Sequence, residues 1–178
     1  MPDPDFLPAV AAVRGMRLYH TGIVVENLDE AMLTWQAAMG LDWAPPRTTA
    51  SKVIGPDGVL PNNVRYTYSL QGPHFLELIE LVDPAPYMPL SEGGRVHHLG
   101  YYVDDLRRAS AELEEQGFRR ELAGIGSDGG IDRLAFHYNP ASPGMWIELL
   151  SPEVVSGTAE WIAAAAAERG VPFVPPLL

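Results

Sequence analysis

The residues with chemical potential sit in two stretches that repeat. "YHTGIVVENLDEA" (Tyr19 to Ala31) lies over "HHLGYYVDDLRRA" (His97 to Ala109) at an offset of 78, matching His20 with His98, Gly22 with Gly100, Val25 with Val103, Leu28 with Leu106 and Ala31 with Ala109. Five identities in thirteen positions compare with about one expected from ordinary composition. Each repeated histidine precedes a glycine by two residues, which leaves room above a sheet. Side chains alternate along a strand, so His97 and His98 should point to opposite faces. The repeat selects His98 for a shared site and sends His97 toward the helix layer.

Two glutamates repeat in the same manner. "FLELI" and "WIELL" align Glu77 with Glu148, flanked on the same face by Phe75 and Ile79 in one copy and by Trp146 and Leu150 in the other. Glu80, three residues from Glu77, falls on the opposite face of a regular strand. A carboxylate among large apolar neighbours is costly to bury without a partner. Two in matching places need a common one, and a divalent cation supplies it. Two neutral imidazoles and two carboxylates make an N2O2 set that leaves up to two positions open on a six-coordinate ion. Open positions point to catalysis or ligand binding rather than to a structural metal. The chain has no cysteine, so any metal is held by nitrogen and oxygen, and Zn, Ni, Co, Mn and Fe all fit.

Other side chains have weaker claims. By alternation Tyr102 shares the face of His98 and Trp146 that of Glu148, so both are candidates to bind a bulky apolar or ring-shaped substrate. His137, in "LAFHYNP", is a candidate acid or base at the same cleft. His74 follows Pro73 and reads as a surface residue. The glycine-rich "GPDG" and "GSDGG" lack the strand-to-helix setting of a phosphate loop and read as hairpin turns. The Arg107–Arg108 and Arg119–Arg120 pairs read as solvated surface.

The elements that must hold these residues also repeat. Each copy begins with a strand and continues into a helical pattern, through Leu28, Ala31, Met32, Trp35 and Met39 or through Leu106, Ala109 and Leu113. Asn27 or Asp29, and Asp104 or Asp105, are candidate N-caps. Gly40 and Gly117 close the two helices. Three strands then follow: "LDWAPP", "VRYTYSL" and "HFLELIELV" in the first copy, "FRRELAGI", "RLAFHYN" and "MWIELLS" in the second. The stretch from Pro45 to Asn63 reads mainly as a long loop with a part in substrate choice. The order of parts is an N-terminal extension (1–16), one module (17–83), a linker (84–95), a second module (96–152), and a C-terminal helix and tail (153–178). That helix, "GTAEWIAAAAAERG", has Thr158 as a candidate cap and Gly170 as its stop. It reads either as a capping or dimer-forming element or as a surface helix packed through Trp161 and Ile162.

Bulk properties narrow the function. With 178 residues, 47% of them hydrophobic, the chain can bury one sizeable core. A formal charge of −11 argues against nucleic acid, whose phosphates require a basic surface. It disfavours anionic membranes too, although arginine makes up all but one of the basic residues and can still hold a small anion locally. There is no long apolar run and no basic region ahead of an apolar N-terminus, so a soluble cytoplasmic protein is expected.

Taken together, "HTGIVVENLDEA", "FLELIE", "HHLGYYVDDL" and "NPASPGMWIELLSP" resemble the vicinal oxygen chelate superfamily, which includes glyoxalase I, methylmalonyl-CoA epimerase, extradiol dioxygenases and antibiotic-resistance proteins. The resemblance covers about Arg17 to Pro152. It implies an α+β fold in which two βαβββ modules pair into a curved mixed sheet around one metal cleft, with His20, Glu77, His98 and Glu148 at the ligand positions. That set is similar to bacterial glyoxalase I, whereas the epimerases commonly have Gln at the position of Glu77. The implied function is that of a divalent-metal-dependent lyase or isomerase acting on a small carbonyl substrate. In such enzymes a ligand-position glutamate can double as the base, here Glu148 with Glu77 as its counterpart. The rival readings are a ring-cleaving dioxygenase, whose usual triad has a single carboxylate, and a protein that binds a drug or metabolite without turnover. A homodimer is compatible with the family.

Overall fold

A computed structural model describes residues 15–85, 96–141 and 146–176. Most of the N-terminal extension and of the 84–95 linker lies outside the described residues. In chain order the elements are β1 (Arg17–Val25), α1 (Leu28–Met39), β2 (Arg47–Gly55), β3 (Gly58–Tyr68), β4 (Phe75–Leu81), β5 (Val96–Tyr102), α2 (Leu106–Glu115), β6 (Arg119–Ile125), β7 (Ile131–Tyr138), β8 (Trp146–Leu150) and α3 (Pro152–Arg169). The eight strands close a barrel in the order β1-β4-β3-β2-β6-β7-β8-β5. Each half therefore lays its strands in the same internal order: first, fourth, third, second.

Within each half the first strand runs parallel to the fourth, β1 with β4 and β5 with β8. A parallel pair needs a crossover, and α1 and α2 supply it on the outside of the barrel. Asn27 caps α1 by accepting from the Glu30 amide, and Asp105 caps α2 by accepting from the Arg108 amide. Gly40 ends α1 in the left-handed conformation at φ 69°, which a residue with a Cβ adopts only at a cost. Leu106, Ala109 and Leu113 bury one stripe of α2 beneath the second half's sheet.

The halves meet at two unequal seams. β1 and β5 pair antiparallel along most of their length. β2 and β6 pair only at Val53–Gly124 and Ile54–Ala123, against nine pairs between β2 and β3. Here the barrel departs from the sequence reading. The span from Pro45 to Asn63, read mainly as a loop, is almost wholly the β2–β3 hairpin, turning at Pro56 and Asp57. Its polar residues hid the strand, because β2 is mostly exposed and is held by its backbone ladder rather than by apolar burial. Conversely, "LDWAPP" contributes only one bridge, Trp43 to Ser69. Two consecutive prolines lack the N–H that a ladder needs, while Trp43 is buried with its Nε1 donating to the Met32 carbonyl.

The C-terminal helix also begins earlier than its sequence pattern implies. α3 starts at Pro152, with Ser151 at the N-cap position, and Gly157 and Thr158 lie inside it. Proline at the first turn sacrifices no hydrogen bond. Burial of Val155, Trp161, Ile162, Ala165 and Ala166 against Tyr19, Tyr68 and Phe75 holds the helix across one end of the barrel. Trp161 sits edge-on to Tyr66 and Tyr68.

Candidate metal centre

Four side chains converge inside the barrel. His20 projects from β1, Glu77 from β4, His98 from β5 and Glu148 from β8, and one ligand atom from each lies within 4.8 Å of all the others. The two Nε2 atoms are 2.8 Å apart. His20 Nε2 is 3.3 Å from Glu77 Oε2 and 3.0 Å from Glu148 Oε2; His98 Nε2 is 3.3 Å and 3.2 Å from the same oxygens. Both histidines are wholly buried, and Glu77 and Glu148 are only 8% and 6% exposed.

These spacings suit a cation. Ligand atoms at right angles around an ion with metal–nitrogen bonds of about 2.1 Å lie roughly 3.0 Å apart. Two imidazole nitrogens facing each other beside two buried carboxylates form an N2O2 donor set of the kind that takes a borderline divalent ion. Without a metal, protons must hold the cluster together. His20 is raised to about 9: burial alone would lower it, but hydrogen bonds to Glu148 and Glu77 outweigh that effect. His98 is raised in the same way, with Glu148 as its strongest carboxylate influence. Burial would raise Glu77 and Glu148, yet the two histidines hold both well below the usual carboxylate range.

The glycines in the repeat position each half against the other. Gly22 pairs with His98 across the seam, and Gly100 pairs with His20. A Cβ on Gly22 would collide with the His98 ring, and one on Gly100 with the His20 ring. Each glycine thus makes space for the histidine contributed by the opposite half.

Two β-bulges set the aim of the rings. The β1–β5 register slips between Leu18 and His20 and again where Gly22 faces His98 and Ile23 faces Val96. Tyr19 and His97 are the extra residues. They sit at the repeat offset of 78, so the distortion itself is duplicated. A bulge breaks side-chain alternation, and this overturns the expected placement of His97 on the helix side. His97 is buried beside His98, its Nδ1 3.1 Å from His98 Nδ1. Were His98 Nε2 to hold a metal, its Nδ1–H would donate to His97 Nδ1. Burial lowers His97 to about 3, and the nearby His98 adds to this, so the ring is a neutral acceptor at ordinary pH. His20 Nδ1 has no hydrogen-bond partner in the structure; Tyr19 instead meets that ring edge-on.

A cavity of about 400 Å³ opens onto the cluster, with Glu77 and Glu148 in its wall. Tyr68 and Phe136 stand there at equivalent places: Tyr68 pairs with Glu77 and Phe136 with Glu148. Tyr68 is edge-on to His20 at 5.3 Å, and Phe136 to His98 at 5.1 Å. Burial, together with the charges of Glu77 and Glu148, holds the Tyr68 hydroxyl well above its ordinary range. Neither Tyr68 nor Phe136 stands out as a site residue in the sequence; strand pairing with the two glutamates is the signal, and it needs the register.

The three candidate substrate residues lie elsewhere. Trp146 is buried against His97 at 4.8 Å and against Phe136, so it backs the histidines rather than the cavity wall. Tyr102 carries Arg17 over its ring at 5.2 Å, two rungs beyond His98 along β5, and Arg17 pairs with Asp104. His137 points out of the barrel to α2, its Nε2 2.9 Å from Ser110 Oγ. Its neighbour Phe136 takes the inward position opposite Glu148, which fixes His137 outward. Glu80 faces the helix side, where it accepts from the Leu28 amide and pairs with Arg65. His74 is a rim residue, its Nε2 2.9 Å from Thr21 Oγ1. Among the described helices none is long and apolar enough to cross a membrane.

The profile of the glyoxalase/bleomycin resistance protein/dioxygenase superfamily matches residues 19–136. Among solved structures, a methylmalonyl-CoA epimerase from Mycobacterium tuberculosis is similar at 21% identity and a TM-score of 0.54, covering 84% of this chain and 95% of its own. A Streptomyces coelicolor methylmalonyl-CoA epimerase in complex with 2-nitronate-propionyl-CoA is similar at 17% identity and a TM-score of 0.46, covering 76% of this chain and 96% of its own. No curated protein matches. The duplicated architecture and the profile together establish that the chain belongs to the glyoxalase/bleomycin resistance protein/dioxygenase superfamily.

Proposed function

We propose that the protein is a metal-dependent isomerase or lyase that removes a proton next to a carbonyl group, with His20, Glu77, His98 and Glu148 holding one divalent ion. The observation that carries this reading is the convergence of two imidazoles and two carboxylates at the inner end of a cavity. A bound divalent ion supplies Lewis acidity, lowering the energy of the negative charge that proton removal leaves on the carbonyl oxygen. His20 and His98 are sealed from solvent, so they hold and do not react. Glu77 and Glu148 border the cavity and are the members that a substrate meets.

Glu148 is the base in this reading. As in Glu77, its short contacts to the histidines use Oε2, which leaves Oε1 as the oxygen for the substrate proton, and the neighbours separate the two carboxylates. Its strand neighbour Phe136 offers no hydrogen bond, whereas Tyr68 bears on Glu77. A carboxylate with fewer donors is the better proton acceptor. Apolar groups such as Leu122, Leu134 and Phe136 limit water around the transfer.

Two carboxylates in one set count against a ring-cleaving oxygenase, whose usual facial triad has one. The candidate substrates to assay first are the glutathione hemithioacetal of methylglyoxal and methylmalonyl-CoA. In deuterium oxide the metal-loaded protein should place solvent deuterium at the carbon next to the carbonyl of its substrate, and Glu148→Gln should lower exchange by about 10² or more. Stoichiometric binding with neither exchange nor turnover for any carbonyl substrate would instead mark a binding protein.

A further inference from the structure

Two of the three described cations left without an acid partner line one cavity. Arg17, Arg65, Arg107, Arg108, Arg119, Arg120 and Arg169 each have a carboxylate oxygen within 4.0 Å. Of the other described basic residues, Arg47 lies over the Trp161 ring at 4.1 Å, while Lys52 and Arg133 both line the cavity that ends at Glu77 and Glu148. Arg133 exerts a field on Glu153 but forms no ion pair with it. In a chain of net charge −11, two unpartnered cations at one cavity rim give an anion a locally favourable approach.

The backbone is distorted at this point. Arg133 is the only described non-glycine residue with positive φ, at 69°, a conformation that is strained for a residue with a Cβ. It belongs to a slip in the β6–β7 ladder: Ala123 faces Ala135, but Gly124 faces Asp132, which leaves Arg133 and Leu134 as extra residues. The strain is held on both sides, since the Arg133 amide donates to Asp132 Oδ1 and its carbonyl accepts from the Ser151 amide. Leu134 follows the inward phase set by Phe136, so a regular strand would turn Arg133 outward; the slip brings it to the cavity. Bulges at barrel rims commonly re-aim a side chain in this way. Lys52 arrives from the other side of the same opening. Its neighbour Val53 pairs with Gly124, and Gly124 pairs in turn with Asp132, so the two cations stand on either side of β6, at the short β2–β6 seam.

We infer that Arg133 and Lys52 form an anion subsite at the rim of this cavity, selecting carbonyl substrates that carry a second negatively charged group, a carboxylate or a phosphate, on a tail that reaches away from Glu77 and Glu148. The inference rests on the proposed metal-centred function for the position of the reacting end, and it concerns only what grips the other end.

The test is calorimetric titration of the cobalt-loaded protein with 2-oxo acids of four to seven carbons, each offered with a methyl, a carboxylate or a phosphonate terminus. At one chain length a charged terminus should improve binding by about tenfold over the methyl analogue. The terminus with the larger gain, carboxylate or phosphonate, identifies the class. Arg133→Gly, which suits the positive φ, and Lys52→Ala should each remove most of that gain while leaving the methyl analogues and the cobalt content unchanged. No gain at any length, or a gain that survives both substitutions, overturns the subsite. Cobalt content measured on the same samples separates that result from failure of the metal site.

Discussion

The two halves of the barrel place their candidate ligands alike and surround them differently. At the bulge before each ligand histidine the first half carries Tyr19 and the second His97; opposite each glutamate the first half carries Tyr68 and the second Phe136. Backbone distortion, glycine clearance, imidazole and carboxylate are thus common to both halves, while the groups that touch them are not. The His98 ring has a polar neighbour at Nδ1, whereas His20 Nδ1 has none among the described residues and its ring meets Tyr19 and Tyr68 edge-on. Glu77 sits beside a hydroxyl and Glu148 beside a phenyl ring. Duplication brought the four side chains to one point, and divergence around them gave the two carboxylates different neighbours.

The most severe way to break this equivalence is to remove a ligand from either half. His20→Ala and His98→Ala should each weaken metal binding about a hundredfold or more, since each discards one of four ligands; elemental analysis after dialysis reads the loss. Next in size are the cross-seam glycines. Gly22→Ala pushes into His98 and Gly100→Ala into His20, so each should cost about 1–3 kcal/mol in thermal unfolding and displace the ring of the opposite half. If only one of the two matters, the pseudo-twofold account of the site is wrong.

The third comparison separates the bulge residues. His97→Phe should lower metal affinity by about 10- to 100-fold, the usual cost of losing an acceptor behind a ligand histidine, whereas Tyr19→Phe should leave it nearly unchanged. Equal effects would remove the asymmetry. The smallest effect is with pH. In the metal-free protein His20 is raised from 6.5 to about 9, so its contribution to stability is complete below pH 6.5 and lost as pH rises through about 9. Glu77 and Glu148 are lowered, so theirs is present above about pH 4.5 and lost on acidification. Metal needs neutral His20. The rise in Tm on adding zinc should therefore grow between pH 6.5 and 9, as scanning calorimetry can show.

The candidate ligand histidines were legible because a 78-residue offset carried them, and the glutamates because "FLELI" and "WIELL" repeat at an offset of 71 while strand phase excluded Glu80. His97 was misplaced because a bulge leaves no mark on alternation; only the ladder on the neighbouring strand reveals the extra residue. The β2–β3 hairpin was hidden for a related reason, since strands at an open rim keep polar side chains on both faces. The start of α3 was obscured by Val154, Val155 and Gly157, poor helix formers whose conformation is set by packing of Val155 under the barrel end rather than by propensity. Phe136 and His137 could not be phased from sequence because the register slip at Arg133 precedes them.

Anomalous diffraction from crystals grown with zinc or cobalt tests the central claim most directly. The account predicts one strong peak per chain, about 2.1 Å from His20 Nε2 and His98 Nε2 and at bonding distance from a carboxylate oxygen of Glu77 and of Glu148. A peak elsewhere, or none at a metal concentration that saturates binding in solution, would contradict it.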